Sequence, residues 1–377
     1  MLNFQKVSDN NKKDDTMKKI IADSTNMKLI GRVYMNDDTL WLGMSGSGVE
    51  FRFNGKGLTM TLCADEVYTG ERKDFARAAV YINGSREHDL LFDQQFKTVT
   101  VSPDGECVIR IIKLSECAMG NVGIKPILAD DDDSIVPVED KAHKIEFIGD
   151  SITCGYGVDD ENELHPFMTE TEDVTKGFAY KTAEALGYDY SMFSLSGYGI
   201  ISGYTDDGTR HEDQLVPTFY ESYGFSIGSF GGIKPMDIDW DFRRYVPDII
   251  VINLGTNDDS YCGSDEGRRN FYSTKYTEFL HVVRKHNPNA HIVCALGVMG
   301  DNLFPALERA VDAFMKETGD RNITLLHFTP QNGELDGYAA NYHPTEKTHK
   351  KAAASLTDVI TMIQTDKQKG DNNEKDN

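Results

Sequence analysis

The sequence predicts an α/β fold, a parallel sheet covered by helices, preceded by an all-β sandwich (jelly-roll) domain. Three observations lead to this prediction. The chain has 377 residues, more than one domain usually contains. Residues 28–128 alternate apolar and polar positions between glycine-rich turns. From residue 144 onward, strand-like and helix-like patterns alternate instead, as they do around a parallel sheet.

Composition narrows the classes of partner and cofactor. Hydrophobic residues make up 39% of the chain, enough for sizeable cores, and the formal net charge is -22. Such a surface repels nucleic acid and anionic membranes, so we expect neither as a partner. The cysteines form no closely spaced pair, so we expect no metal site, and no other cofactor is needed for the chemistry described below. The sequence is compatible with a homo-oligomer.

The N-terminal half divides into three expected parts. Residues 1–27 are polar and are expected to be disordered or loosely attached, and no apolar segment there suggests a signal peptide. This predicts a cytoplasmic protein, or a secreted one if a leader has been removed. The β-sandwich (jelly-roll) domain is expected over 28–128. Residues 129–143 contain four consecutive aspartates. They could bind calcium, but their spacing is not that of an EF-hand, which favours a solvated acidic linker.

A parallel α/β domain is expected over residues 144–365. Five runs are apolar and rich in β-branched residues, which is typical of strands buried on both faces. A polar tail, 366–377, follows the domain. The predicted strands are 144–148, 190–195, 249–254, 291–296 and 323–328, and the predicted helices lie near 177–186, 268–286, 303–318 and 345–364.

Polar groups follow the strands of this predicted sheet. "GDS" (149–151) ends the first strand, "SGYG" (196–199) the second and "GTND" (255–258) the third, and a loop after the fifth leads to "NYHP" (341–344). Ligands of open parallel sheets bind outside the carboxyl ends of the strands, so these four loops should meet at one edge.

Together these groups are the parts of a serine hydrolase. A serine hydroxyl is a weak nucleophile that needs a base, and Ser151 and His343 are the candidates. The oxyanion of the tetrahedral intermediate needs preorganised donors, which the N–H groups of Ser151 and Gly197 and the Asn257 carboxamide could supply. Pro344 restricts His343 to extended geometry and holds it in a loop before the last helix.

The four blocks, each following a strand, resemble the signature blocks of the SGNH, or GDSL, hydrolases, which have a flavodoxin-like sheet. The stretches 31–51 and 147–158 carry a closer resemblance to family 2 of the carbohydrate esterases, whose hydrolase domain follows a β-sandwich. That family removes acetyl groups from xylan, other glycans and sugars. The resemblance implies that Ser151 is the nucleophile, His343 the base, and Ser151, Gly197 and Asn257 the oxyanion hole.

One position departs from the family pattern. Enzymes of this kind usually place an aspartate two or three residues before the histidine, to orient its ring. Here these positions are Asn341 and Ala340. We therefore predict a Ser-His dyad in which either Asn341 or a main-chain carbonyl orients His343.

Residues 198–245 form a long insertion between two strands and are rich in glycine and aromatic residues. Long insertions at a binding edge often serve function, and sugars stack on aromatic rings. Tyr198 and Trp240 are therefore predicted to bind substrate, although Trp240 could equally pack in the interior.

The prediction that follows is a serine esterase that removes acetyl groups from xylan, xylo-oligosaccharides or similar sugars. Its expected partner is the acetylated oligosaccharide or polysaccharide. Two alternatives stay open: an esterase or lipase for longer acyl chains, and a carbohydrate-binding protein without catalysis.

Overall fold

The computed structural model describes residues 17–69, 75–131 and 134–375, in which a β-sandwich precedes a parallel α/β domain. The sandwich strands are β1 (Lys18–Ile20), β2 (Lys28–Ile30), β3 (Val33–Asn36), β4 (Thr39–Leu42), β5 (Gly48–Phe53), β6 (Leu58–Ala64), β7 (Arg77–Ile82), β8 (Ser85–Leu91), β9 (Phe96–Val101), β10 (Cys107–Lys113), β11 (Val122–Ile124), β12 (Ile127–Ala129) and β13 (Ile135–Pro137).

Both sandwich sheets are antiparallel. One has the order β1-β12-β6-β11-β4-β3, with β9 on the other side of β6, and the second has the order β13-β5-β10-β7-β8, with β2 beside β5. Their inward-facing apolar side chains, such as Val49, Phe51 and Phe53 of β5, form one buried core. The turn between β7 and β8 contains the predicted Asn83-Gly84 pair, and both residues have the positive φ that this tight hairpin turn requires.

The parallel sheet has the order β15-β14-β16-β17-β18, in which the chain starts near one edge and reverses direction once. Every residue of β16 and β17 is buried, which explains why their sequences do not alternate. The strands are β14 (Lys144–Gly149), β15 (Asp189–Ser194), β16 (Ile249–Asn253), β17 (His291–Leu296) and β18 (Ile323–His327).

Helices cover both faces of the parallel sheet. They are α1 (Ser151–Cys154), α2 (Phe178–Leu186), α3 (Val216–Phe219), α4 (Thr256–Cys262), α5 (Glu266–His286), α6 (Phe304–Thr318), α7 (Gly333–Asp336) and α8 (Glu346–Lys375). Helices α5 and α6 share a core with one face, and α2 and α8 with the other. No helix in the described ranges is long and apolar enough to cross a membrane.

The two domains share a buried interface. Arg32 of the sandwich is fully buried, and its guanidinium donates hydrogen bonds to the carbonyl oxygens of Tyr220 and Ser222 (2.7 and 2.6 Å). The same guanidinium lies 3.4 Å from a carboxylate oxygen of Glu146 in β14. The insertion also covers the sandwich, because the Phe230 ring stacks on Trp41 with centroids 4.7 Å apart.

Three boundaries differ from those predicted. Strand β1 pairs with β12, so the sandwich includes residues that were expected to be loosely attached. Strand β13 pairs with β5 and lies inside the predicted linker 129–143. Both strands have three residues, too few for an alternating pattern to be visible. Helix α8 continues to Lys375, so most of the predicted polar tail is helical backbone.

Candidate active site

The predicted loops meet at the carboxyl edge of the parallel sheet. Ser151 begins α1 directly after β14, and residues 195–199 follow β15. Asn257 lies in the first turn of α4, just after β16, and His343 precedes α8. The structure thus brings the candidate nucleophile, base and oxyanion donors to one edge, as parallel topology requires.

Ser151 is the first residue of the one-turn helix α1. Asp150 caps this helix, since one of its carboxylate oxygens accepts a hydrogen bond from the Ile152 N–H at 3.0 Å. Gly155 ends the helix with φ of +76°, and a Cβ there would lie 2.6 Å from the Asp173 carbonyl oxygen. The chain therefore turns sharply on both sides of the serine, which leaves its side chain at the end of the sheet.

Ser151 and His343 form a hydrogen-bonded pair. The Ser151 Oγ lies 2.9 Å from His343 Nε2, and His343 Nδ1 lies 3.1 Å from the main-chain oxygen of Asn341. A carbonyl oxygen can only accept, so Nδ1 carries the proton and Nε2 is left to accept from the serine hydroxyl. This is the protonation state that a general base requires.

The ring of His343 is therefore oriented by a main-chain carbonyl, one of the two alternatives that the sequence left open. The Asn341 side chain instead donates a 3.3 Å hydrogen bond to the Tyr156 hydroxyl. Among the described residues, no carboxylate contacts the ring. Asp336, the nearest upstream aspartate, forms ion pairs with Lys347 and Lys351.

The backbone before His343 has an unusual conformation. Asn341 and Tyr342 have φ of +55° and +59°, in the left-handed region that asparagine tolerates better than most residues. This turn directs the Asn341 carbonyl at the imidazole two residues later. Gly157 allows close packing nearby, because a Cβ on it would lie 2.8 Å from the Cβ of Ala340.

Aromatic rings cover one face of the imidazole. Tyr156 stacks on His343 with centroids 3.9 Å apart, and Phe167 stacks on the other side of Tyr156 at 4.3 Å. Desolvation lowers the pKa of His343 to about 4, although its backbone hydrogen bonds act in the opposite direction. The imidazole is accordingly neutral over most of the physiological pH range.

Two of the three predicted oxyanion donors are unused. The backbone N–H groups of Ser151 and Gly197 donate no hydrogen bond to any described residue. Gly197 has φ of +81°, which glycine adopts without strain. The Asn257 carboxamide is engaged, because its Nδ2 donates to the Tyr198 carbonyl at 2.8 Å and lies 3.5 Å from a carboxylate oxygen of Asp150.

Two buried aspartates support these loops. Asp258 accepts hydrogen bonds from the N–H groups of residues 200–202, at 2.6 to 3.2 Å. Burial raises the pKa of Asp150 to about 7 and that of Asp258 to about 6, although backbone N–H donors oppose the increase for both. Neither carboxyl contacts the imidazole. Their hydrogen bonds fix the nucleophile helix and the loop after β15.

The two predicted sugar-binding residues have different positions. Tyr198 lies in the loop beside Gly197 and is half-buried, with its ring against Phe219 and Phe225. Trp240 lies elsewhere, beside residues 285–290, which precede β17 at the amino end of the sheet. Its ring is 8% exposed and packs on the guanidinium groups of Arg32 and Arg244. This position favours the interior packing that the sequence left open for Trp240, because the insertion folds back over the sandwich.

Sequence reasoning assigned no individual role to three aromatic residues at the site. Tyr156 was one, although it lies five residues after Ser151, close enough for the same turn to place both. Tyr342 was another: it precedes His343 directly and is 50% exposed. Tyr204 is 59% exposed, and its N–H donates to the Gly197 carbonyl at 2.8 Å.

Comparison with known families agrees with this geometry. The model of the GDSL-like lipase/acylhydrolase family matches residues 147–351, and that of the carbohydrate esterase 2 N-terminal domain matches residues 29–138. Among curated relatives, an acetylxylan esterase/glucomannan deacetylase of Cellvibrio japonicus is 27% identical over 357 residues, covering 91% of this chain and 90% of the relative. The cellulase/esterase CelE of Acetivibrio thermocellus is 33% identical over 221 residues, 58% of this chain but only 25% of the relative.

Solved structures share the whole two-domain fold. A family two carbohydrate esterase from Clostridium thermocellum, solved with cellohexaose, superposes with a TM-score of 0.76 and 25% identity, over 90% of this chain and 99% of that one. An acetyl xylan esterase from Butyrivibrio proteoclasticus gives a TM-score of 0.81 at 22% identity, over 93% and 98%. The chain therefore belongs to the GDSL-like lipase/acylhydrolase family and has the two-domain fold of the family 2 carbohydrate esterases.

Proposed function

We propose that this protein is a carbohydrate O-acetyl esterase acting on acetylated xylan, xylo-oligosaccharides or similar sugars. The observation that carries the proposal is the 2.9 Å contact between Ser151 Oγ and His343 Nε2, together with two N–H groups that have no acceptor among the described residues. The relatives named as acetylxylan esterases, which align over both domains, support the acetyl group and the sugar.

Acylation begins when Ser151 Oγ attacks the acetyl carbonyl carbon and its proton passes to His343 Nε2. The resulting oxyanion accepts hydrogen bonds from the Ser151 and Gly197 N–H groups, which are already oriented. Asn257 could add a third donor through the N–H that faces Asp150. The tetrahedral intermediate then collapses, the bond to the sugar oxygen breaks, and imidazolium protonates the departing alcohol. An acetyl-serine ester remains.

Deacylation repeats these steps with water. His343 removes a proton from the water, whose oxygen attacks the acetyl-serine carbonyl, and collapse returns the proton to Ser151 Oγ and releases acetate. In both halves the imidazolium is stabilised by its Nδ1–H bond to the Asn341 carbonyl. A neutral carbonyl supplies a dipole where most triads supply a charge, so we infer that ring orientation is its main contribution.

Exposed rings suggest where the sugar binds. Tyr342 directly precedes the base His343, and the backbone N–H of Tyr204 donates a hydrogen bond to the carbonyl oxygen of Gly197. Both present open aromatic surface, on which a sugar ring can stack. Tyr198, half-buried beside Gly197, would contact the sugar closest to the ester. We propose these three residues as the substrate platform.

Acetate release from acetylated xylan tests the proposal directly. Wild-type protein should release acetate, and Ser151→Ala should be at least about 10³-fold slower while binding the same substrate. Equal rates for both proteins, or none for either, would favour a carbohydrate-binding protein. A series of 4-nitrophenyl esters tests the acyl group: acetate should be hydrolysed faster than octanoate, and the reverse order would indicate a longer-chain esterase.

A further inference from the structure

The β-sandwich reaches the site through a buried carboxylate that the reaction above does not use. Glu116 lies after β10, in the sandwich domain, and is fully buried. One of its carboxylate oxygens, Oε2, accepts a 3.0 Å hydrogen bond from the backbone N–H of Ser196. Ser196 directly precedes Gly197, whose own N–H is one of the two unused oxyanion donors.

Besides the contact of its carboxylate, two hydrogen bonds hold the main chain of Glu116. Its backbone N–H donates to a carboxylate oxygen of Glu172 at 2.8 Å. Its carbonyl oxygen accepts from the ammonium of Lys113, which is fully buried, at 2.7 Å. Next to it, the Cys117 thiol contacts the Ser194 carbonyl at 3.7 Å. The segment is thus anchored on both domains.

The loop that carries Gly197 is held at two points. Asp258 fixes residues 200–202 on the hydrolase side, and Glu116 fixes Ser196 on the sandwich side. Between them, Gly197 has φ of +81°, a conformation that glycine adopts without strain. Peptide groups are planar, so only the φ and ψ of Ser196 separate its amide from that of Gly197, and fixing the Ser196 N–H restricts the directions that the Gly197 N–H can take.

We propose that Glu116 is a positioning residue for the oxyanion hole, so that the β-sandwich completes the esterase site. This inference rests on the proposed function. Glu116 touches neither substrate nor reacting atoms and acts through the Ser196 amide on the Gly197 N–H. Its loss should affect the tetrahedral state more than substrate binding, and should therefore lower kcat rather than raise KM.

Two conservative variants of Glu116 distinguish a positioning role from a general role in folding. Glu116→Gln keeps the length of the side chain and a carbonyl oxygen that can accept the Ser196 N–H, but loses the charge. Glu116→Asp keeps the charge but shortens the side chain by one C–C bond, about 1.5 Å, and breaks the contact. Asp65→Asn is the matched control, because Asp65 is a buried sandwich carboxylate that accepts hydrogen bonds from Asn121 and from the Val67 N–H.

The full-length variants would be compared with wild type on 4-nitrophenyl acetate, with thermal melting to follow stability. We expect Glu116→Asp to lower kcat about 10- to 100-fold with KM within about twofold, less than the roughly 10²- to 10³-fold cost of losing an oxyanion donor, because the Gly197 N–H is displaced rather than removed. Glu116→Gln should lose no more than about threefold. The inhibition constant of phenylboronic acid, which forms a tetrahedral adduct with a serine Oγ, should rise with the loss in kcat. Asp65→Asn should melt earlier with kcat unchanged.

The inference is overturned if Glu116→Asp is as active as Glu116→Gln, or if Asp65→Asn loses as much kcat as Glu116→Asp. In either case the contact serves only stability. If the wild-type protein has no esterase activity, the proposed function and the inference both fail. That outcome is seen with the wild type alone, before any variant is compared.

Discussion

Activity at low pH should be the most direct consequence of the lowered pKa of His343. His343 acts as a base only when neutral, so the reaction requires a pH above its pKa. With a pKa of about 4, about 90% of the imidazole is neutral at pH 5. A histidine with an ordinary pKa of 6.5 would be about 3% neutral there, and about 25-fold less active than at pH 7. We expect kcat/KM at pH 5 to stay within about twofold of the value at pH 7.

Acetate release measured by chromatography suits this profile, because detection of acetate, unlike that of 4-nitrophenol, does not change with pH. Tyr156→Ala provides the comparison. Removing the ring that stacks on His343 admits water to the imidazole, which should raise its pKa and move the acid limb toward pH 6.5. A wild-type acid limb centred near pH 6.5, in protein that circular dichroism shows to be folded at pH 5, would refute the reasoning.

Three further predictions concern orientation of the base, the domain interface and the insertion. Asn341→Gly should keep kcat within about threefold, since the orienting carbonyl remains. Asn341→Ala should keep kcat in the same way but lower the free energy of unfolding by about 1 kcal/mol, because alanine is strained at the positive φ of this position. A tenfold fall in kcat for the glycine variant would mean that the side chain orients the ring. Arg32→Met should cost about 3–5 kcal/mol in urea denaturation by leaving Glu146 buried without its cation, and adding Glu146→Gln should recover part of that loss. Trp240→Ala should lower the melting temperature but leave kcat and KM for acetylated xylo-oligosaccharides within about twofold. A large rise in KM would instead indicate that the Trp240 ring contacts the sugar.

The sequence predicted most of the architecture because the parallel strands carry their own signal. Strands β14, β16 and β17 consist mostly of apolar residues, many of them β-branched, and each predicted boundary lies within one residue of the observed one. The catalytic loops could be found for the same reason, since topology alone brings strand ends together. Strands β1 and β13 could not be found, because a three-residue edge strand depends on its partner rather than on its own pattern.

Details within the site depended on tertiary structure. The sequence identified position 341 as unusual, but whether its side chain or its carbonyl meets His343 depends on φ and ψ, which composition does not determine. The environment of Trp240 could not be predicted, because a long aromatic insertion can fold toward the site or away from it. This insertion packs Trp240 against aromatic residues of the sandwich, whereas Tyr204 and Tyr342 are exposed.

Arg32 has a consequence for how this protein can be divided or rebuilt. The hydrolase half without its sandwich would leave the Tyr220 and Ser222 carbonyls and the Glu146 carboxylate facing solvent or one another. A truncated catalytic half is therefore a poor candidate for independent expression, and a foreign domain that replaces the sandwich would need a guanidinium at the same point. The two domains are best expressed, exchanged and engineered together.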